Sequence, residues 1–417
     1  MRFHWFAQVT YPHLGADFPD RFSSTWVDVL PSAADPRKIG ETYHMFLRLL
    51  RHADAMGFDG LAVNEHHQTP FAMTPSPNLM ASVLASSTEN AAILVIGDSL
   101  ALYNPPIRVA EELGFVDCLS GGRLIAGFVV GTPMDGSYSY GVPPVEVRDR
   151  FAEARELIVR AWREPEPFSF NGKYTKLRYV NPWPRPVQNP PPIWVPGTGS
   201  PETWDLVLDE DYGYGHLSFT GIHAAKPSID GFWDHVEERG FEVNPNRMAF
   251  TQMVCVADSD AEAEREYASA VRHFFSHNKI APRFGQAPGY ASLRSMRHRF
   301  DLAAKSNGST RATLADVQRV GEMGFWEMDE KGIIIAGGPE RVRQRLRELA
   351  TTLRVGQLIS MLHFGNLSEE SAMKNTKLFG HDVIPHLRDL WSDLPDRWTP
   401  VESQRRVAQA AATLSAG

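Results

Sequence analysis

Short apolar runs alternate along this chain with longer stretches in which apolar residues recur at helical spacing, the signature of repeated βα units around a parallel sheet. The runs Phe3–Val9, Gly60–Asn64, Ala92–Leu100, Leu124–Val130, Ile193–Pro196, Gly215–Phe219, Ala249–Ala257 and Gln357–His363 predict strands. Amphipathic helices are predicted over Ile39–Met56, Asn78–Thr88, Ile107–Leu119, Val147–Trp162, Glu202–Leu208, Ile229–Arg239, Ala261–His277 and Pro339–Thr351. Eight strands and eight helices in this order predict a (β/α)8 TIM barrel. A doubly wound open sheet would ordinarily carry a Gly-rich dinucleotide turn after an early strand, and none stands there.

A barrel core takes ~250 residues, so a chain of 417 carries additions. The pattern predicts one barrel domain over residues 1–390, with insertions at 10–36, 166–192 and 281–330, and a C-terminal tail over 391–417. The first insertion is rich in Pro, Asp and Ser. The second opens as a hairpin, Phe168–Val180, around Asn171-Gly172. It runs into Asn181–Pro192, where half the residues are proline and neither helix nor central strand can form. The third mixes Arg294, Arg297 and Arg299 with Phe300, Phe325 and Trp326, and its length predicts a lid over the barrel mouth.

Charge narrows the partners. Lys and Arg number 42 against 50 Asp and Glu, a net −8, which offers no broad footprint for nucleic acid or an anionic membrane. No apolar stretch approaches the ~20 residues that cross a bilayer. The opening MRFHWFAQV lacks the apolar block of a secretory signal, so the expected location is cytoplasmic. Cys118 and Cys255 fit no metal or disulfide pattern and are expected to be buried thiols.

In barrels of this kind, chemistry sits where strands end. The second strand ends in Asn64-Glu65-His66-His67. Side chains alternate along an extended backbone, which favours His66 over the mouth and His67 in support; a hydrogen-bonded structural pair is the competing reading. No metal set is evident, since His4 stands alone and HExxH is absent. Gly97-Asp98-Ser99-Leu100, followed by Tyr103-Asn104-Pro105-Pro106, offers small residues at a strand end where a planar ring could approach the backbone. Arg148 and Arg150 open the helix after strand four, where an arginine can fork onto a phosphate. Pro196-Gly197-Thr198-Gly199-Ser200-Pro201-Glu202 combines glycines, hydroxyls and a helix start, which suits an anion or simply a capped helix. Gly337-Gly338-Pro339-Glu340 has the same ambiguity.

Taken in order, these pieces resemble the bacterial luciferase-like family of flavin-dependent monooxygenases. The resemblance rests on Gly57-Phe58-Asp59-Gly60 leading to Glu65-His66-His67, on Ser76-Pro77-Asn78, and on Asn104-Pro105-Pro106-Ile107-Arg108-Val109-Ala110-Glu111-Glu112. It continues through Leu119-Ser120-Gly121-Gly122-Arg123, Gly197-Thr198-Gly199-Ser200, Ala336-Gly337-Gly338-Pro339-Glu340 and Phe379-Gly380-His381-Asp382-Val383-Ile384-Pro385.

The resemblance implies a barrel that binds reduced FMN as co-substrate, with the phosphate at the end of strand five. It implies a non-prolyl cis peptide at Ser99-Leu100 beneath the flavin, His66 as catalytic residue, and phosphate contacts from Arg148, Gly197, Thr198, Gly199 and Ser200. Glu65, Ser99, Leu100 and Asn104 fall at cofactor-binding positions by the same carry-over. One departure is Val130, where luciferases place an arginine; the phosphate would then depend on Arg148 or on Arg294, Arg297 and Arg299.

The implied reaction joins reduced FMN and O2 in a flavin hydroperoxide that oxygenates a small organic substrate, the reduced flavin coming from a separate flavin reductase. The implied assembly is a homodimer or homotetramer. Competing readings are a deazaflavin-dependent oxidoreductase of the same superfamily, a metal-dependent barrel hydrolase, and a noncatalytic flavin-binding subunit.

Overall fold

The computed structural model describes residues 1–400 apart from Ala16, Ser218, Gln286 and 306–319. Its strands are β1 (Arg2–Phe6), β2 (Gly60–Val63), β3 (Ala92–Val95), β4 (Asp98–Ser99), β5 (Leu124–Val129), β6 (Phe168–Asn171), β7 (Lys176–Val180), β8 (Ile193–Gly197), β9 (Gly213–His216), β10 (Met248–Val256), β11 (Ile334–Gly337) and β12 (Gln357–Met361). Parallel pairing runs β1-β2-β3-β5-β8-β9-β10-β12 and closes on β1, where Arg2 opposes Gln357. The closed barrel is the one predicted, and its eight strands are the eight runs read from the sequence. Inside and around it, Phe3, Leu61, Ile93, Leu94, Ile125, Phe250 and Ile359 are wholly buried.

The predicted helices form with small changes at their ends, for instance Pro36–Ala55, Pro77–Ser87 and Ile107–Ser120. Local chemistry explains these ends. Asp35 accepts from the Arg37 N–H with Pro36 in the first turn, and Gly121 closes Ile107–Ser120 at φ 68°. The helix expected from Ile229 starts at Ile222 and carries Pro227 inside.

Several expectations are corrected. The run Ala92–Leu100 is two strands, because β3 stops at Val95 and β4 pairs separately with β5, Asp98 against Phe128. The non-prolyl cis peptide lies between them at Ile96-Gly97, not at Ser99-Leu100. Here the chain runs against Gly127: a Cβ on Gly97 would lie 2.5 Å from the Gly127 carbonyl oxygen, and one on Gly127 would lie 1.8 Å from that of Val95. Ser99 is held in the β4–β5 pairing instead, and Leu100 begins a single turn to Leu102. β11, not anticipated, extends the sheet by pairing with the outer half of β10, Met253 against Ile334. Cys118 is exposed, its thiol 3.1 Å from the Arg185 carbonyl, while Cys255 is buried.

The insertions take distinct forms. Residues 10–36 fold back on the barrel: the Thr25 hydroxyl donates to the His277 carbonyl at 2.6 Å, and Thr69 donates to the Thr25 carbonyl at 2.8 Å. β6 and β7 form the expected antiparallel hairpin, whose turn N–H groups at Lys173, Tyr174 and Thr175 donate to Glu153. Of the expected lid, Gln286 and 306–319 lie outside the described residues. Its helix Leu293–Lys305 packs on helix Pro201–Asp209, where Arg294 pairs with Asp205. Phe300 is exposed, Phe325 is buried, and the Trp326 indole donates to Glu264 at 2.7 Å. No described helix is long and apolar enough to cross a membrane.

Residues 391–400, expected in the tail, pack on the barrel, whereas 401–417 lie outside the described residues. The Trp194 indole donates to the Trp398 carbonyl at 2.7 Å, and the Trp398 indole donates to the Asp211 carbonyl at 3.1 Å. Arg247 and Arg397 lie over the Trp398 ring at 4.7 and 4.4 Å. Trp398→Ala is therefore expected to cost about 3–5 kcal/mol, measured as a lower urea midpoint at unchanged slope. A loss below about 0.5 kcal/mol, the size of ordinary surface changes, would make this segment an appendage.

Candidate active site

β2 ends at Val63, and in the segment that follows it the side chains of Glu65 and His67 part company with that of His66. Glu65 and His67 share one side, where the His67 Nε2 lies 2.6 Å from Glu65 Oε1, and both are buried. His66 points the other way and keeps 16% of its side chain exposed.

Each side has a carboxylate at its centre. Glu65 Oε2 accepts from the Ser99 N–H at 2.8 Å and the Tyr103 hydroxyl at 3.2 Å, tying the end of β2 to β4. Asp135, in the turn after β5, holds His66. Its Oδ2 lies 3.0 Å from His66 Nδ1 and accepts from the Thr132 hydroxyl at 2.7 Å, while its Oδ1 accepts from the His67 N–H at 2.8 Å. Burial alone would raise the Asp135 carboxyl, but the hydrogen bond and charge of His66 and the donors of His67 and Thr132 hold it below the usual carboxylate range. The Trp26 ring meets His66 edge-on at 4.5 Å and is fixed by its indole donating to Asn278 at 3.0 Å.

Asp98 behaves oppositely. It is wholly buried, and desolvation together with the neighbouring Glu65 charge pushes its carboxyl well above the ordinary range. Tyr103, which donates to both carboxylates, is pushed up by the same burial and charges.

The residues expected at the site divide into two groups. Glu65 and Ser99 are bonded to each other, with His66 on the opposite side of the same segment, and Arg148 acts electrostatically on Tyr290 near Gly131. A Cβ on Gly131 would lie 3.3 Å from the Ser99 hydroxyl, and the Tyr290 hydroxyl donates to the Gly131 carbonyl. The Arg148 Nε is buried with no hydrogen-bond partner among the described residues. Leu100 is wholly buried in the core, and Asn104 is exposed beside Tyr103.

The second group, Gly197 to Ser200, closes β8, and its hydroxyl is already engaged. Ser200 donates to Glu202 at 2.7 Å, as does Ser295, and Ser292 donates to the other oxygen. Burial raises the Glu202 carboxyl, but these three hydroxyls outweigh it and bring it to about 2. Gly199 needs its φ of 102°, and a Cβ there would lie 2.1 Å from the Ser228 hydroxyl. Thr198 is exposed. At the other glycine pair the place of an anion is taken: Gly338 N–H donates to Asp260 at 2.8 Å. Among the described residues no three His, Cys, Asp or Glu side chains stand together as a metal site.

Asp135, Thr132, Trp26 and Tyr290 were not singled out from the sequence. Asp135 stands just past a predicted strand end, the signal that identified His66. Trp26 lies in an insertion without periodicity, which carried no such signal.

The buried Asp98 gives a signed expectation. Its carboxyl binds a proton more tightly folded than unfolded, so stability falls as pH rises from the unfolded value of ~3.9 towards the folded one. Asp98→Asn should thus stabilise the protein at neutral pH by about 1–3 kcal/mol, with the gain vanishing below about pH 4. Urea titrations of both proteins across this range check it; a pH-independent difference would contradict it.

The sequence profile of the luciferase-like monooxygenase family matches residues 21–355. The chain is 24% identical over 238 residues to the oxygenase component of flavin-dependent trigonelline monooxygenase from Acinetobacter baylyi, covering 55% of this chain and 64% of that one. It spans 49%, 88% and 64% of the length of three curated relatives. Among solved structures, the oxygenating constituent of 3,6-diketocamphane monooxygenase from Pseudomonas putida, in complex with FMN, superposes with a TM-score of 0.63 at 21% identity, over 84% of this chain and 94% of that one. An F420-dependent secondary alcohol dehydrogenase superposes at 0.62 with 15% identity, over 93% and 99%. These structures share the barrel, and the profile match over most of the sequence places the chain in the luciferase-like monooxygenase family.

Proposed function

We propose that the protein is the oxygenase of a two-component, FMN-dependent monooxygenase in the cytoplasm, acting as a homodimer or homotetramer on a small organic substrate. Reduced FMN from a separate flavin reductase would supply two electrons to O2, so that one oxygen atom enters the substrate and the other leaves as water. The observation that carries this reading is the His66–Asp135 pair beyond the end of β2, together with an Arg148 Nε that is buried and has no hydrogen-bond partner among the described residues. A buried guanidinium nitrogen without a partner calls for an acceptor such as a phosphate oxygen.

The chain's own residues then have defined tasks. Arg148 would hold the phosphate, in place of the arginine absent at Val130. The Gly197–Ser200 loop would add backbone donors, since its Ser200 hydroxyl is taken by Glu202. His66 would give or take a proton at the mouth, because an imidazole does both near neutral pH. Trp26, Phe71 and Phe274 form an apolar wall behind it, with Trp26 to Phe71 at 5.2 Å and Phe71 to Phe274 at 5.2 Å, and they would keep water from the reacting atoms.

Anaerobic titration with reduced FMN, followed by air and candidate substrates, tests the reading. Arg148→Ala should weaken reduced-FMN binding at least about tenfold, the loss of one charge-assisted contact; unchanged affinity in the folded variant removes Arg148 from the site. Turnover that proceeds without oxygen on a deazaflavin would replace the reading with the hydride-transfer alternative. His66→Ala should lower turnover ~10²–10⁴-fold, and His67→Ala by less. Equal losses in both folded variants would contradict the separate tasks assigned to them.

A further inference from the structure

We propose that Asp135 is the positioning residue for His66: it fixes the ring proton on Nδ1 and so presents Nε2 as the atom that exchanges a proton at the barrel mouth. The inference rests on the reading in which His66 serves as acid or base, and it adds a residue and a chemical state to it.

The argument begins with the carboxylate. Asp135 keeps 2% of its side chain exposed, and its two oxygens are met by three groups, His66 Nδ1 at 3.0 Å, Thr132 Oγ1 at 2.7 Å and His67 N at 2.8 Å. An ionised carboxylate only accepts hydrogen bonds, so the nitrogen facing it must carry a hydrogen. In the neutral ring only one nitrogen does, which leaves the lone pair on Nε2. No described residue bonds that Nε2, and the ring retains 16% exposure.

The grip is also geometric. Asp135 holds the imidazole with one oxygen and the next backbone N–H with the other, so the ring is fixed relative to its own strand end. Trp26 packs against the ring edge-on. A carboxylate needed only to tie the turn to β2 would be satisfied by the His67 N–H and Thr132. Contact with a ring nitrogen adds the choice of tautomer, which a structural tie does not require.

The test uses the full-length protein with 15N-labelled histidine, free of flavin and substrate, and reads which ring nitrogen of His66 bears hydrogen from two-bond 15N–1H correlations. The His66→Gln variant assigns the signals. The expected result is a hydrogen on Nδ1 in the wild type. Asp135→Asn can turn its amide N–H towards Nδ1, so the hydrogen should move to Nε2, and turnover should fall by ~10²-fold or more. A wild-type ring protonated on Nε2 overturns the proposal even if the variant fails to fold, and so does a folded Asp135→Asn protein that keeps the wild-type tautomer. A tautomer that switches while turnover stays unchanged supports the role of Asp135 and overturns the assignment of His66 to proton transfer.

Discussion

A carboxylate withdrawn from water must be met by donors or give up its charge, and the barrel mouth is organised around that constraint. Glu65 and Asp135 satisfy it by reaching across strands. Glu65 takes the His67 ring, the Ser99 N–H and the Tyr103 hydroxyl; Asp135 takes His66, the His67 N–H and Thr132. Between them they fix the ends of β2, β4 and β5 relative to one another at a place where the barrel ladder has already ended. Asp98 fails the constraint, with one oxygen unpartnered among the described residues, and its carboxyl is pushed well above the ordinary range. Asp117 lies between the two cases: it takes both the backbone and side-chain N–H of Gln188, yet burial outweighs them and raises its carboxyl.

Helix starts obey it too, and this separates sites that sequence renders alike. Gly337-Gly338 and Gly199-Ser200 both precede a helix with proline in its first turn. At the first, Asp260 occupies the backbone donor. At the second, Glu202 draws in the hydroxyls of Ser200, Ser292 and Ser295 and leaves the glycine backbone uncovered by that carboxylate. An anion from solution would find a competing acidic side chain at either place. By contrast, the Arg148 Nε, in the first turn of helix Val147–Arg163, is buried without a hydrogen-bond partner among the described residues.

How much was legible follows from what each signal measures. Apolar periodicity reports which face of an element is buried, and it located the eight barrel strands to within a few residues. It could not see the break at Ile96-Gly97, because Ala92–Leu100 stays buried throughout and the break comes from the approach of the Gly127 backbone, a contact between distant residues. Trp398 escaped for a related reason: it is a single aromatic in a polar stretch, and its burial depends on Trp194 and Arg247. At the site, alternation along an extended segment separated His66 from His67. Their partners, Asp135 and Trp26, are set by folding of a turn and an insertion, for which no local pattern exists.

This division has a consequence for specificity. The polar groups at the mouth, Glu65, His66 and Asp135, come from strand ends and the turn after β5, and their positions are set by the ladder and by one another. The apolar wall is assembled differently. Trp26 comes from the first insertion, and it is placed by Asn278, beyond the end of helix Asp260–His277, and by Thr25 bonded to His277 and Lys279. A change in that insertion would reshape the space beside His66 without moving the carboxylate that holds its ring. Barrels of this architecture can therefore exchange substrates by altering insertions while the strand ends keep their chemistry, and in this chain the boundary between the two runs through the 4.5 Å contact of Trp26 with His66.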